Sequence, residues 1–219
     1  MIDIIIIGQN EGESIQRMYN SLLHIPSKRI WILDRCTDDS EEILQKLGEF
    51  YIKTPDCLKG RQTSFSRNLG LSYAGKHSDV LFLDGDRYIT NGSLNNLINW
   101  DKDIAILALQ DDYRNNINDY RNCYGKVHNM FYSCGIFFKR SSINKILEFQ
   151  KGELFLTSIQ TDWGIEDTYL GDVCYHLRLT CDIYREALLR GKFDKCFLDT
   201  LDVIEKRFRL RDKLNVLWE

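Results

Sequence analysis

The sequence predicts an α/β fold: a mostly parallel central sheet flanked by helices, in a single domain. Two observations carry this. Over the first hundred residues, continuous apolar runs alternate with segments of helical period, and each run is followed by a helix rather than a tight turn. Such a string pairs in parallel through right-handed crossovers, with helices on both faces. In addition, 219 residues contain only two prolines and no Gly/Ser-rich break, so no linker divides the chain.

The elements follow in order. "IDIIIIG" is an unbroken β-branched run, as expected of a strand buried on both faces. Ile15, Met18, Tyr19, Leu22 and Leu23 then recur at helical spacing. "RIWILD" is the second strand, and residues 38–48 read as a helix whose first turn is acidic, which suits the helix dipole. "FYIKT" is a short third strand, residues 61–76 a helix, and "DVLFLD" a fourth strand. Beyond residue 100, "DIAILAL" and "MFYSCGIFFKR" read as strands, residues 141–149 as a helix, and "GIEDTYLGDVCYHLRL" as a helix opening at Glu166-Asp167. The polar stretch 110–129 is long enough for a functional loop. The tail 198–219 reads as an amphipathic helix with Leu201, Ile204, Phe208 and Leu214 on one face. The expected division is thus 1–110, 111–197 and the terminal helix 198–219, within one domain.

Composition narrows the class. Apolar residues at 43% and charged residues at 28% are those of a soluble globular protein. A formal net charge of −3 gives no overall attraction to nucleic acid or anionic lipid. The N-terminal apolar run is interrupted by Asp3, lacks a basic leader, and is too short to span a bilayer. Seven scattered cysteines with no CxxC pair argue for reduced thiols and a cytoplasmic location, not a disulfide framework or a zinc cluster. Lys206, Arg207, Arg209, Arg211 and Lys213 in the tail read as a solvated face, or as a contact for an anionic acceptor, a membrane surface or DNA.

In open α/β sheets, ligands bind outside the carboxyl ends of the strands, where the strand order reverses. The strand exits here supply Gln9, Asn10 and Glu11, then Asp34 and Arg35, then Asp84, Gly85 and Asp86. Half of these eight are carboxylates converging on one sheet edge. Asp84-Gly85-Asp86 suits a hard divalent cation, Mn²⁺ or Mg²⁺, which takes one or two protein carboxylates plus substrate phosphate oxygens; an ordinary polar turn is the bland alternative. Gly85 allows close backbone approach to a ligand. Thr37, Asp38 and Asp39 lie nearer the second helix and serve better as its cap, which leaves Asp34 to accept from a base or ribose. Lys59, Arg61 and Arg67 form either a solvated basic face or a cradle for a diphosphate, to which the arginine fork is suited. Glu166 and Asp167 satisfy a helix N-terminus, or else act as a general base beside a Trp163-Gly164 platform on which a sugar stacks.

"IIIIGQNEGESIQRMYNSL", "WILDRCTDDSEEIL", "GRQTSFSRNLGLSYA", "DVLFLDGDRYI" and "WGIEDTYL", in this order, resemble the GT-A-fold glycosyltransferases, most of all the family 2 type. The resemblance covers residues 2–90 well and 130–178 loosely. It implies a Rossmann-like GT-A domain and a metal-dependent hexosyl- or related transferase. The donor would be a nucleotide-diphosphate sugar, most of all a UDP-sugar, bound across the first four strand ends by Gln9, Asn10, Glu11, Asp34, Arg61, Arg67, Asp84 and Gly85. It places the metal on Asp84 and Asp86, makes Asp167 the base of an inverting reaction, and sets Glu166, Trp163 and Gly164 at the acceptor. The acceptor is left open among a glycan, a protein, a small molecule or a hydroxylated DNA base. Two departures stand out. Arg35-Cys36 occupies positions where the pattern has a second aspartate and Gly-Ser, and no late histidine is placed as a metal ligand. His176 falls inside a helix and reads as core or surface; His128 falls in the polar loop. Two alternatives stay open: a sugar-phosphate nucleotidyltransferase, although "GQNEGES" carries no basic residue for a phosphate loop, and a non-catalytic nucleotide-sugar-binding subunit.

Overall fold

The N-terminal isoleucine run becomes the hinge of the whole sheet. In the computed structural model, which describes residues 1–58, 62–92, 94–111, 117–118, 135–157 and 165–191, β1 (Ile2–Gly8) pairs in parallel with β2 (Lys28–Leu33) on one side. On the other it pairs in parallel with β4 (Asp79–Asp84). β3 (Tyr51–Lys53) continues the parallel set beyond β2. Past β4 the sheet turns antiparallel through β8 (Gly135–Phe138) and β6 (Ile104–Asp111). It closes with β9 (Cys181–Gly191) and β5 (Arg87–Gly92); a two-residue β7 (Ile117–Asn118) pairs with β6. The full order is β3-β2-β1-β4-β8-β6-β9-β5. Strand order therefore reverses between β1 and β4, which opens a crevice at their carboxyl ends.

The two faces of β1 show why so apolar a run was needed. Ile2, Ile4 and Ile6 join Met18 and Leu22 of α1 (Gly12–Leu22) and Leu44 of α2 (Ser40–Leu47) in one core. Ile5 and Ile7 point the other way, into a second core with Phe82, Phe138 and Phe155. That core also takes in Ile143 and Ile146 of α4 (Arg140–Phe149) and Val173 of α5 (Ile165–His176). This is the period of two of an extended chain, buried on both sides. Phe82 anchors the second core by edge-to-face contacts with Phe138 at 6.3 Å and Phe155 at 5.2 Å, the preferred geometry for such rings. α3 (Thr63–Tyr73) lies against β1 and β2 through Gly70, where a Cβ would come within 2.4 Å of Ile5 Cγ2 and 3.3 Å of Ile32 Cγ1. Only a glycine lets this helix sit so close.

The helices expected at 38–48, 61–76 and 166 onward form with shorter bounds. Gly48 ends α2 in the left-handed conformation, φ 69°, its N–H returning to the carbonyls of Gln45 and Leu44. α5 stops at His176 and Arg178 turns left-handed, φ 54°, so the chain enters β9 where the sequence pattern continued the helix. β5 and β9 are the two long strands that the sequence pattern did not indicate. The helix expected at 198–219 and all but two residues of the polar stretch 110–129 not in β6 lie outside the described residues. No described helix is long and apolar enough to cross a membrane.

Candidate active site

The crevice at the β1/β4 switch holds a cavity of about 210 Å³. Its walls are Gln9 and Glu11 after β1, Asp34 after β2, Asp84, Gly85 and Asp86 after β4, and Thr63 and Ser66 from α3. Backbone hydrogen bonds lock these exits together: Gly85 N–H donates to Ile7 O at 2.7 Å, and Asp34 N–H to Gly8 O at 2.8 Å. The backbone packs tightly at Gly85, where a Cβ would lie 3.2 Å from Ile7 O and 3.3 Å from the Gly8 Cα.

Asn10, in the left-handed conformation at φ 59°, turns its side-chain oxygen onto the N–H groups of Thr37 (2.7 Å) and Asp38 (3.3 Å). It thus braces the neighbouring loop. Asp38 caps two helices at once, accepting from Gly12 N–H of α1 at 2.9 Å and Ser40 N–H of α2 at 3.1 Å. With capping taken by Asp38, Asp34 is left at the cavity, as its position implied. It is not bare, however. Arg35 folds back at φ 49° and grips both carboxylate oxygens, Nε to Oδ1 at 2.7 Å and Nη2 to Oδ2 at 2.9 Å, while Thr54 Oγ1 donates to Oδ1 at 2.9 Å. The arginine that departs from the expected pattern is therefore the ion-pair partner of Asp34. Cys36 joins the same loop, its thiol accepting from Asn10 N–H at 3.3 Å.

Glu11, Asp84 and Asp86 stand close together in the cavity lining. Burial first, and then the charges of Asp86, Asp84 and Asp38, push the Glu11 carboxyl up to about 7, against the pull of Arg87. Asp86 pairs with Arg87 Nε at 3.1 Å. Negative charge concentrated on hard oxygen ligands beside a cavity is what a divalent cation would answer. Among the described residues no three acid, histidine or cysteine groups are arranged to hold a metal unaided.

Behind these acids, Arg67 of α3 is buried, its side chain 4% exposed. Nη2 meets Asp84 Oδ1 at 3.1 Å; Nη1 lies 3.6 Å from Glu166 Oε1 and 3.5 Å from Asp167 Oδ1. Thr63 Oγ1 donates to Glu166 Oε1 at 3.0 Å. The residues at β4's exit and at the start of α5, about eighty positions apart in sequence, thus meet on one guanidinium. Arg67 was expected at a donor phosphate; here it faces carboxylates. Arg61, Trp163 and Gly164 lie outside the described residues, as do Lys59 and His128. His176 sits in the last turn of α5 with its ring 5.3 Å from that of Phe149. Thr63, Ser66 and Arg87 belong to the site but carried no sequence signal, since a hydroxyl in a helix or an arginine in a strand acquires meaning only from its neighbours.

The profile of Glycosyl transferase family 2 matches residues 3–165. No curated protein matches the chain in sequence. Among solved structures, it is similar to S. aureus TarS 1-349 at 15% identity and a TM-score of 0.61, covering 85% of this chain and 60% of that one. This chain therefore spans less than two thirds of the TarS fragment. It is similar to the glucosyl-3-phosphoglycerate synthase of Mycobacterium tuberculosis in complex with Mn²⁺, UDP and glucosyl-3-phosphoglycerate, at 14% identity and a TM-score of 0.60, covering 95% and 76%. The inositol-1-phosphate CTP transferase of T. maritima is similar at 12% identity and a TM-score of 0.56, covering 95% and 96%. At such identities these likenesses establish the fold, a GT-A-type α/β sheet.

Proposed function

The chain belongs to glycosyl transferase family 2, and from that premise we propose that it moves a sugar from a nucleotide-diphosphate sugar, a UDP-sugar, to an acceptor hydroxyl with inversion. The observation that carries the reading is the cavity at the β1/β4 switch, with Glu11, Asp34, Asp84 and Asp86 in its wall and Asp167 joined to it through Arg67. Asp34, with Gln9 beside it, binds the nucleoside end, and Gly85 lets the diphosphate approach the backbone. Asp84 and Asp86 would hold Mn²⁺ or Mg²⁺, which when bound supplies Lewis-acid neutralisation of the departing diphosphate. Asp167 accepts the proton of the acceptor hydroxyl as its oxygen attacks the anomeric carbon. The new C–O bond forms as the bond to the diphosphate oxygen breaks, its electron pair leaving with the nucleoside diphosphate. Glu166, on the same helix turn, lies on the acceptor side.

The test is a screen of nucleotide sugars with Mn²⁺, followed by mass spectrometry, on the wild type, Asp86→Ala and Asp167→Asn. Wild type should release nucleoside diphosphate, and Asp167→Asn should lower kcat by about 10²–10⁴-fold. Near-normal turnover in either variant sinks the assignment. Release of pyrophosphate from a nucleoside triphosphate and a sugar phosphate would identify a nucleotidyltransferase instead. Donor binding without transfer would identify a binding subunit.

A further inference from the structure

We propose that Arg67 is a positioning residue, resting on the glycosyltransferase reading: it holds Asp167 and Glu166 in register with the Asp84 end of the donor cavity and does not itself bind the diphosphate. Its guanidinium is as buried as the core, 4% exposed, and both terminal nitrogens are turned to protein carboxylates. A diphosphate would have to displace Asp84 to reach Nη2, and Nη1 faces Glu166 and Asp167.

The surroundings are built to keep it there. The ring of Phe155 lies 5.2 Å from the guanidinium carbon, a cation–π contact. The next residue, Asn68, pins the Phe155 backbone: its Nδ2 donates to Phe155 O at 2.6 Å, and its Oδ1 accepts from the N–H groups of Leu154 (3.2 Å) and Phe155 (3.1 Å). One turn of α3 thus fixes the cation and the platform beneath it.

Electrostatics supplies the need. Glu166 and Asp167 are adjacent in sequence, and the Glu166 side chain is 4% exposed and that of Asp167 13%. Two neighbouring carboxylates with so little solvent repel each other, and a shared cation sets where both settle. Only the Asp84 contact is at hydrogen-bond distance; the 3.5 and 3.6 Å separations on Nη1 are ion pairs without a hydrogen bond, and Glu166 Oε2 has no hydrogen-bond partner. Contacts to catalytic groups are commonly long before substrate arrives and shorten in the reacting complex. Arg67 is therefore the link through which the donor end and the base end share one geometry, and misplacing a base by about 1 Å costs about 10²-fold in rate.

The experiment compares Arg67→Lys and Arg67→Gln with wild type at saturating Mn²⁺. It reads kcat for transfer and, by titration calorimetry, the Kd for the nucleoside diphosphate. The positioning role predicts a kcat lower by about 10²-fold with Kd changed less than about threefold. It also predicts partial rescue of Arg67→Ala by added guanidinium. A Kd raised tenfold or more with kcat retained at saturation would make Arg67 a diphosphate ligand and overturn the proposal. Failure of all three variants to fold would reduce its role to structure and overturn the proposal equally. If wild type transfers no sugar at all, the parent reading falls. The positioning claim is then judged by the melting temperatures of Arg67→Gln, Asp167→Asn and the double variant. Non-additivity of about 3 °C or more supports the link, and additivity overturns it.

Discussion

Gly70→Ala tests whether the seating of α3 governs both stability and chemistry. An added Cβ would lie 2.4 Å from Ile5 Cγ2, whereas carbon atoms rest about 3.5–4.0 Å apart. Relief requires a movement of about 1 Å, and Ile5 gives little room: it is fully buried in the central strand, and Ile32 Cγ1 blocks a second direction at 3.3 Å. Overpacking of this kind costs about 1–3 kcal/mol. The clash is severe enough for the upper end, while alanine recovers about 1 kcal/mol of helix propensity. The net loss is about 1–2 kcal/mol, a fall in Tm of roughly 2–8 °C for a chain of this size. The same 1 Å displaces Thr63 and Arg67, which ride on α3, so kcat for sugar transfer should fall by about 10²-fold. Differential scanning calorimetry and a transfer assay on the same preparation read both effects. An unchanged or higher Tm would refute the close seating, and a lowered Tm with full kcat would refute the coupling of α3 to the site.

Two further outcomes follow from charge. With cations removed by EDTA, Glu11 contributes stability that is present below its unfolded value near 4.5 and lost as pH rises through about 7. Glu11→Gln should therefore match wild type at pH 4.5 and exceed it at pH 8 by about 1–2 kcal/mol, discounted for the group's partial exposure; equal melting curves at pH 8 would contradict the crowding of acids. Asp103 accepts from Ser142 Oγ (2.9 Å), Thr180 N–H (2.8 Å) and Thr180 Oγ1 (2.8 Å), tying α4 to the turn before β9. Burial opposes its charge, but these bonds outweigh it and hold the carboxyl below 3.8. Its stabilisation is complete above the unfolded value and lost as pH falls below it. Asp103→Ala should cost about 1–2 kcal/mol at pH 7 and show a shallower acid limb in chemical denaturation, and an unaltered acid limb would count against the network.

By itself, the sequence determined the parallel half of the fold, because Ile2 to Ile7 and "DVLFLD" can be buried only between two layers of helix. It determined the address of the site as well: a strand's carboxyl end is fixed once the strand is, so the strand pattern alone sets Asp34, Asp84 and Asp86 on one edge. Hydrophobic period says nothing, however, about β5, where polar "RYITNG" is held by pairing with β9, or about a helix that ends at His176 through a left-handed Arg178. Those are decided by distant partners. Tertiary structure alone decided what the cations do. Arg35 reads as a departure from the family pattern and Arg67 as a solvated or diphosphate-binding group, yet one closes on Asp34 and the other lies buried among Asp84, Glu166 and Asp167. The reason is the cost of burying charge: a guanidinium in the interior persists only where carboxylates meet it, and that meeting joins residues from β4, α3 and α5 that no local pattern relates.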